Sequence, residues 1–257
     1  MAPASPDDAA WGFPNRATPI GSAAYYAVRF CPPGQRERNA LLLAWYDLVQ
    51  EIVKQHTDPG AARLKLDWWR QEVTLLNDSR CRHPLTQALQ DAGVDAAAVA
   101  PMTAILETAD DEIRSPQVRD DDAFAAACRR SFGNFFVLLH RLDAITPEND
   151  RHCRECGAYC AAVERIRQLA PSPLRVPPDT RAAALRALSP EQRGRRLEAL
   201  LAGFDNAPTR PLPALAARLL ALSKAMHNKI RNSGYPVADA LVERAPLGLL
   251  WTAWRCR

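Results

Sequence analysis

The chain has 257 residues, of which 47% are hydrophobic, and a formal net charge of +4. It is long enough for one large domain or two small ones and apolar enough for a real core. The mild charge excludes a strongly basic nucleic-acid-binding protein, and no apolar run reaches the roughly 18 residues that a membrane-spanning helix needs. Eleven glycines are few for the turns of an all-β protein, whereas alanine, leucine and arginine, all strong helix formers, dominate. Seven cysteines, an odd number scattered along the chain, do not resemble a secreted disulfide framework.

In chain order, Met1 to Ala10 is polar and acidic and has no apolar stretch of the kind a signal peptide carries. Residues 1–20 are set apart as a polar N-terminal segment, and residues 21–257 are read as one helical domain. Leu41, Trp45, Leu48 and Ile52 repeat at three and four, as one face of a helix does. Met102, Ile105, Leu106, Ala109 and Ile113 form a shorter stripe. Asp120-Asp121-Asp122 then reads as an N-cap with first-turn acids before the stripe Phe124, Cys128, Phe132, Phe135, Leu139 and Leu142. Leu212, Leu215, Leu219, Leu222 and Met226 make another. Breaks fall at Pro32-Pro33-Gly34, Asp58-Pro59-Gly60, Pro84, Pro116, Pro147, Pro190 and Pro208. Eight to ten helices, no strand and no internal repeat are expected.

Five local strings then carry a resemblance. They are Ser22-Ala-Ala-Tyr25-Tyr26 with Phe30-Cys-Pro32, Arg38-Asn-Ala40 through Trp45, Leu66-Asp-Trp68-Trp69-Arg70-Gln-Glu72, His83-Pro84-Leu85 through Leu89, and Lys229-Ile230 through Trp254. In this order they resemble the squalene/phytoene synthase family. The resemblance implies an all-α, single-domain terpenoid-synthase-like bundle around a central cavity. Enzymes of that family join two prenyl diphosphates with Mg²⁺ held by two aspartate-rich helices. Carboxylates at i and i+4 share a helix face and can share metal ions, which draw on the leaving diphosphate as Lewis acids.

The family's first motif, an arginine followed by D-D-x-x-D, falls on Asp47, Gln50, Glu51 and Lys54. Its second, Q-x-x-N-x-x-R-D, falls on Ala161, Glu164, Arg167 and Gln168, where only Arg167 is retained. A further family aspartate falls near Ser172, before Arg175-Val176-Pro177. Lys54 puts a cation where a divalent metal should sit, and Gln50 and Gln168 carry no charge to neutralise one. These degenerate positions leave no catalytic set and no metal site. Ser22, Tyr25, Lys54 and Arg167 remain as candidate ligand-binding residues.

Other features read more plainly. His152, Cys153, Cys156 and Cys160 suggest a metal cluster, but the cysteines share one helix face with Val163 and no second pair exists, so packing is the expectation. Asp110-Asp111-Glu112 and the run Arg181, Arg186, Arg193, Arg195 and Arg196 read as solvated helix faces, with a phosphate or anionic-membrane contact as the sharper reading of the arginines. Of Trp68 and Trp69, one should pack inward and the other meet a neighbour. The apolar tail Leu247 to Trp254 suits a docked final helix, or else an interfacial anchor.

The expected function is therefore that of a catalytically degenerate relative that binds an isoprenoid or lipid, or acts as an assembly or regulatory factor. The alternatives are an active prenyl diphosphate transferase with atypical diphosphate-binding residues, and a helical interaction module with a filled core. No cofactor is expected, Mg²⁺ belonging only to the enzyme alternative. A lipid ligand or a protein partner is expected, but no nucleic acid. The expected location is cytoplasmic, with membrane contact at most peripheral.

Overall fold

A computed structural model describes residues 11–55, 58–143, 149–170, 175–207 and 210–256. Its regular elements among the described residues are helices, as the composition implied. The first four α-helices are α1 (Ala23–Arg29), α2 (Pro33–Gln55), α3 (Pro59–Thr74) and α4 (Pro84–Asp91). Then come α5 (Val99–Arg114), α6 (Asp121–Cys128), α7 (Asn134–Leu142) and α8 (Asp150–Arg167). The last four are α9 (Ala182–Arg186), α10 (Pro190–Ala202), α11 (Ala214–Asn232) and α12 (Pro246–Arg255). This exceeds the eight to ten expected because α1 and α9 span only seven and five residues, too short to show a period.

Several prolines read as breaks are in fact helix starts. Pro33, Pro59, Pro84 and Pro190 each open a helix, where the missing N–H costs nothing and the fixed φ suits the first turn. Capping finishes the job. Asp58 accepts from the Gly60 amide at 2.8 Å, Asp120 from Ala123 at 2.8 Å, and Ser189 and Gln192 form a reciprocal capping box. Glu72, buried in α3, accepts the Arg82 and His83 amides and the Thr86 hydroxyl at 2.6–2.7 Å, fastening the start of α4 to α3. Pro147 and Pro208 lie outside the described residues.

The core is centred on α7, where Phe135, Phe136, Val137, Leu138 and Leu139 are all buried. A helix whose consecutive residues are buried around a full turn belongs in the middle of a bundle. The stripe Phe124 to Leu142 is not one α-helix, because a π-helical turn at Arg129–Gly133 joins α6 to α7. α8 crosses this turn backbone to backbone. A Cβ added to Gly157 would come within 2.5 Å of the Phe132 carbonyl oxygen and 3.0 Å of the Gly133 Cα.

Residues 11–20 pack onto the domain, with Trp11 and Phe13 against the core and the Asn15 side chain donating to the Ala40 carbonyl at 3.1 Å. Trp69 is buried and Trp68 exposed, and both rings meet His83. The arginine-rich stretch is only in part the solvated face expected: Arg186 and Arg195 are exposed, whereas Arg181, Arg193 and Arg196 are partly buried. Arg196 pairs with Asp121 and Asp179, and Arg193 and Arg186 pair with Asp239, so these side chains bind α10 and α9 to neighbouring segments.

The crossing at Gly157 leads to a prediction. Alanine normally favours a helix over glycine, but here the new methyl meets backbone that cannot swing aside. Gly157→Ala should lose about 1–3 kcal/mol in urea unfolding. Gly34→Ala, whose Cβ would meet nothing within 4 Å, should change stability by no more than about 0.5 kcal/mol. Equal effects of the two substitutions would contradict the close crossing.

Candidate functional site

A cavity of about 840 Å³ lies between α1, α2, α8, α11 and the start of α12. It is of the size that holds small ligands. Leu43, Phe132, Val163, Leu219, Leu222 and Met226 give it an apolar body. Although Phe135 and Phe136 are fully buried and Phe132 stacks on Phe135 with ring centroids 5.1 Å apart, these aromatics do not fill the space.

The two motif segments meet here. Asp47, Gln50 and Lys54 of α2 line the same cavity as Ala161, Glu164 and Arg167 of α8 and the adjoining Gln168. Ser22 lines it too, its hydroxyl accepting the Tyr25 amide at 3.0 Å as the N-cap of α1. Two expected positions lie elsewhere. Glu51 is turned aside, ion-paired with Arg16, and lines a separate groove with Trp68 and Trp69. Tyr25 stacks on Phe13 with ring centroids 5.3 Å apart and is not among the cavity-lining side chains. The reason for Glu51 is helical phase, since 50, 54 and 47 share a face of α2 that residue 51 flanks. Ser172 lies outside the described residues.

The carboxylates that remain near the polar end are already engaged. Glu164 takes a two-pronged ion pair from Arg167 at 2.6 and 2.8 Å and a hydrogen bond from the Gln168 side-chain amide. Asp47 lies 3.7 Å from Arg16, and its burial, which outweighs the Arg16 and Lys54 charges, pushes its carboxyl pKa up.

Sequence reasoning missed the residues that dominate this end. Arg165 and Arg175 both border the cavity, and both pair with Glu112 of α5, Arg175 at 3.3 Å. Asp110-Asp111-Glu112 is therefore not a solvated face. Asp110 is buried against Arg63, Arg70 and Arg114, and Glu112 lines a neighbouring pocket that shares Arg165 and Arg175 with this cavity, while Asp111 alone stays exposed beside Arg130. The signal was present in the stripe: Glu112 follows Ile105 by seven and Ala109 by three, so it shares their face. Burial alone would raise the Glu112 pKa, but the Arg165 and Arg175 charges outweigh it and hold the carboxyl below its ordinary value. Arg165 is raised, Glu112 outweighing its burial, while Arg175 is lowered by burial and by Arg165 beside it. Both remain cations at any biological pH. The side-chain amide oxygen of Gln50 accepts from Arg175 at 3.5 Å.

Six basic residues and three acidic ones line the cavity. Mg²⁺ needs near-octahedral oxygen ligation with at least one or two carboxylates, and two of the three here, Asp47 and Glu164, are ion-paired with arginines. Among the described residues, no group of three or more His, Cys, Asp and Glu side chains is placed to share a metal ion. Cys153, Cys156 and Cys160 are buried on one face of α8, burial pushing their thiols up to about 12, 11 and 12, in line with packing.

A family model described as squalene/phytoene synthase matches residues 18–176, well over half of the chain, and the chain belongs to that family. The match includes both motif segments and ends before the closing string at Lys229 to Trp254. No curated protein matches the chain.

Removing the Glu112 charge should leave two buried arginines uncompensated. Glu112→Gln is expected to cost about 3–5 kcal/mol of unfolding free energy. The folded pKa of Glu112 is depressed, so its stabilisation is present above the ordinary glutamate range and is lost as pH falls through the folded value. The gap between wild type and Glu112→Gln in denaturant melts should therefore narrow on acidification. A gap that widens, or a neutral substitution, would contradict the buried pairing.

Proposed function

We propose that this member of the squalene/phytoene synthase family holds an isoprenoid or similar lipid with an anionic head and does not ionise it. The observation that carries the proposal is the exchange of charge at the polar end of the cavity. Where the family pattern calls for carboxylates, this chain has Gln50, Lys54 and Gln168, with Arg165 and Arg175 beside them. Fixed guanidinium groups match phosphate oxygens in pairs, and Lys54 adds a point charge. The apolar body beyond suits a hydrocarbon tail.

Binding and ionisation make different demands. A fixed cation attracts the ground-state anion, whereas expulsion of diphosphate needs charge that increases its grip as the bond breaks. In the family, Mg²⁺ supplies that charge. The donor set of this chain does not fit the ion, so its residues are left with binding alone. A lipid-holding protein without turnover is suited to an assembly or regulatory role.

The test is binding and turnover measured side by side. Farnesyl diphosphate should bind equally well with Mg²⁺ and with excess EDTA in equilibrium dialysis. Arg175→Gln should weaken binding about tenfold, the effect of one lost charge-assisted contact. Diphosphate release from farnesyl or geranylgeranyl diphosphate should stay at background, since losing the metal-borne charge costs on the order of 10³ or more in rate. Restoring Gln50→Asp, Lys54→Asp, Glu164→Asn and Gln168→Asp together should create Mg²⁺ binding. Robust magnesium-dependent turnover by the unmodified protein would overturn the proposal in favour of an active prenyl diphosphate transferase.

A further inference from the structure

α1, α11 and α12 pack against one another. α12 is docked, with Ala253 buried and Leu249 against the core, as the sequence favoured. Its other face is not covered by the described residues. Leu247, Trp251 and Trp254, at i, i+4 and i+7, are 79%, 54% and 47% exposed. That spacing gathers them on one side of the helix, and two tryptophans with an arginine beside them are the side chains that favour a bilayer's headgroup zone. The Arg255 guanidinium lies 5.5 Å from the centre of the Trp251 ring.

The three helices carry charge of one sign. α1, α11 and α12 together contain Arg29, Arg218, Lys224, Lys229, Arg231 and Arg255 and not one aspartate or glutamate. Arg231 is engaged by Glu198, and Lys224 donates to the Asn206 carbonyl. Arg29 and Arg255 are exposed at the ends of α1 and α12. Arg218 acts electrostatically on both Cys31 and Cys256, which lie just beyond those two ends. The apolar stripe thus runs toward a basic end.

Position supplies a further reason. The starts of α1 and α12 form the cavity wall through Pro19, Ser22, Pro246 and Leu249. Ile20 and Leu247, each next in sequence to a lining proline, are the most exposed large apolar residues among those described. Greasy side chains at the rim of a half-apolar cavity have no structural reason to face water.

We propose that the α12 face docks onto an anionic lipid bilayer, with Leu247, Trp251 and Trp254 inserted at headgroup depth and Arg29 and Arg255 against the lipid phosphates. The helix lies on the membrane and does not cross it, as none of the described helices is long and apolar enough to span one. Docking rests on this face alone and stands whether or not the cavity holds a lipid.

The experiment is co-sedimentation of the whole protein with vesicles of phosphatidylcholine alone and of phosphatidylcholine mixed with phosphatidylglycerol. Binding should require the anionic lipid and fall as salt is raised. The variant Leu247→Ser, Trp251→Ser, Trp254→Ser should bind at least about tenfold more weakly with an unchanged thermal melt, because the three side chains face outward. Should that variant fold poorly, quenching of tryptophan fluorescence in the unmodified protein by bromine-labelled lipids gives the same answer. The proposal is overturned if the protein stays in the supernatant with anionic vesicles, or if the folded variant sediments as the wild type does. It is equally overturned if size-exclusion chromatography shows a dimer that the same substitutions dissolve, which would make a second copy the occupant of the face.

Discussion

One buried carboxylate shared between two guanidinium groups organises the polar half of this molecule. Glu112 rises from α5 and meets Arg165 of α8 and Arg175 from the segment that follows it. Three pieces of chain distant in sequence are thereby tied at one point beside the cavity. Such a cluster is expensive to desolvate and gains little over apolar packing, so stability is a weak reason for it. Its consequence is positional, since two cations are held in the cavity wall by a partner that leaves the group net positive. The orientation of Gln50 follows from the same point, since its side chain meets Arg175.

In a metal-dependent site, positive charge arrives with the ion and is tuned by carboxylates. Arg165 and Arg175 are positive charge of another kind, covalently part of the chain. Arginine at 165 is not among the positions the family motif specifies. Lys54 adds to this charge from α2, and Arg167, answered by Glu164, contributes little net charge.

Much of the fold could be read from the sequence, because an amphipathic helix writes its buried face at a spacing of three and four. The stripes on α2, α5 and α11 became core faces. The site was legible only in part. Motif positions placed α2 and α8 on the same cavity, but motif spacing assigned Glu51 to it, whereas the helix turns that side chain to the flank, where it pairs with Arg16. Glu112 escaped because three adjacent acids look like a surface, and what buries the third is a pair of arginines more than fifty residues later. A long-range ion pair leaves no local period. The same blindness applied to Arg193 and Arg196, whose partners are also remote in sequence.

The π-helical turn at Arg129–Gly133 is where the chain keeps phase. A π turn is equivalent to one residue more than an α-helix requires, accommodated without breaking the rod. Shortening the chain there by a single residue would let α6 and α7 fuse into one regular helix. Every side chain beyond the deletion would then rotate by about 100° relative to those before it. Phe135 and Phe136 would swing out of their core positions behind Phe132, and Gly133 would leave the place where Gly157 approaches. The length of that one turn is therefore a property of the interior, and a chain of the same composition without it would enclose a different space.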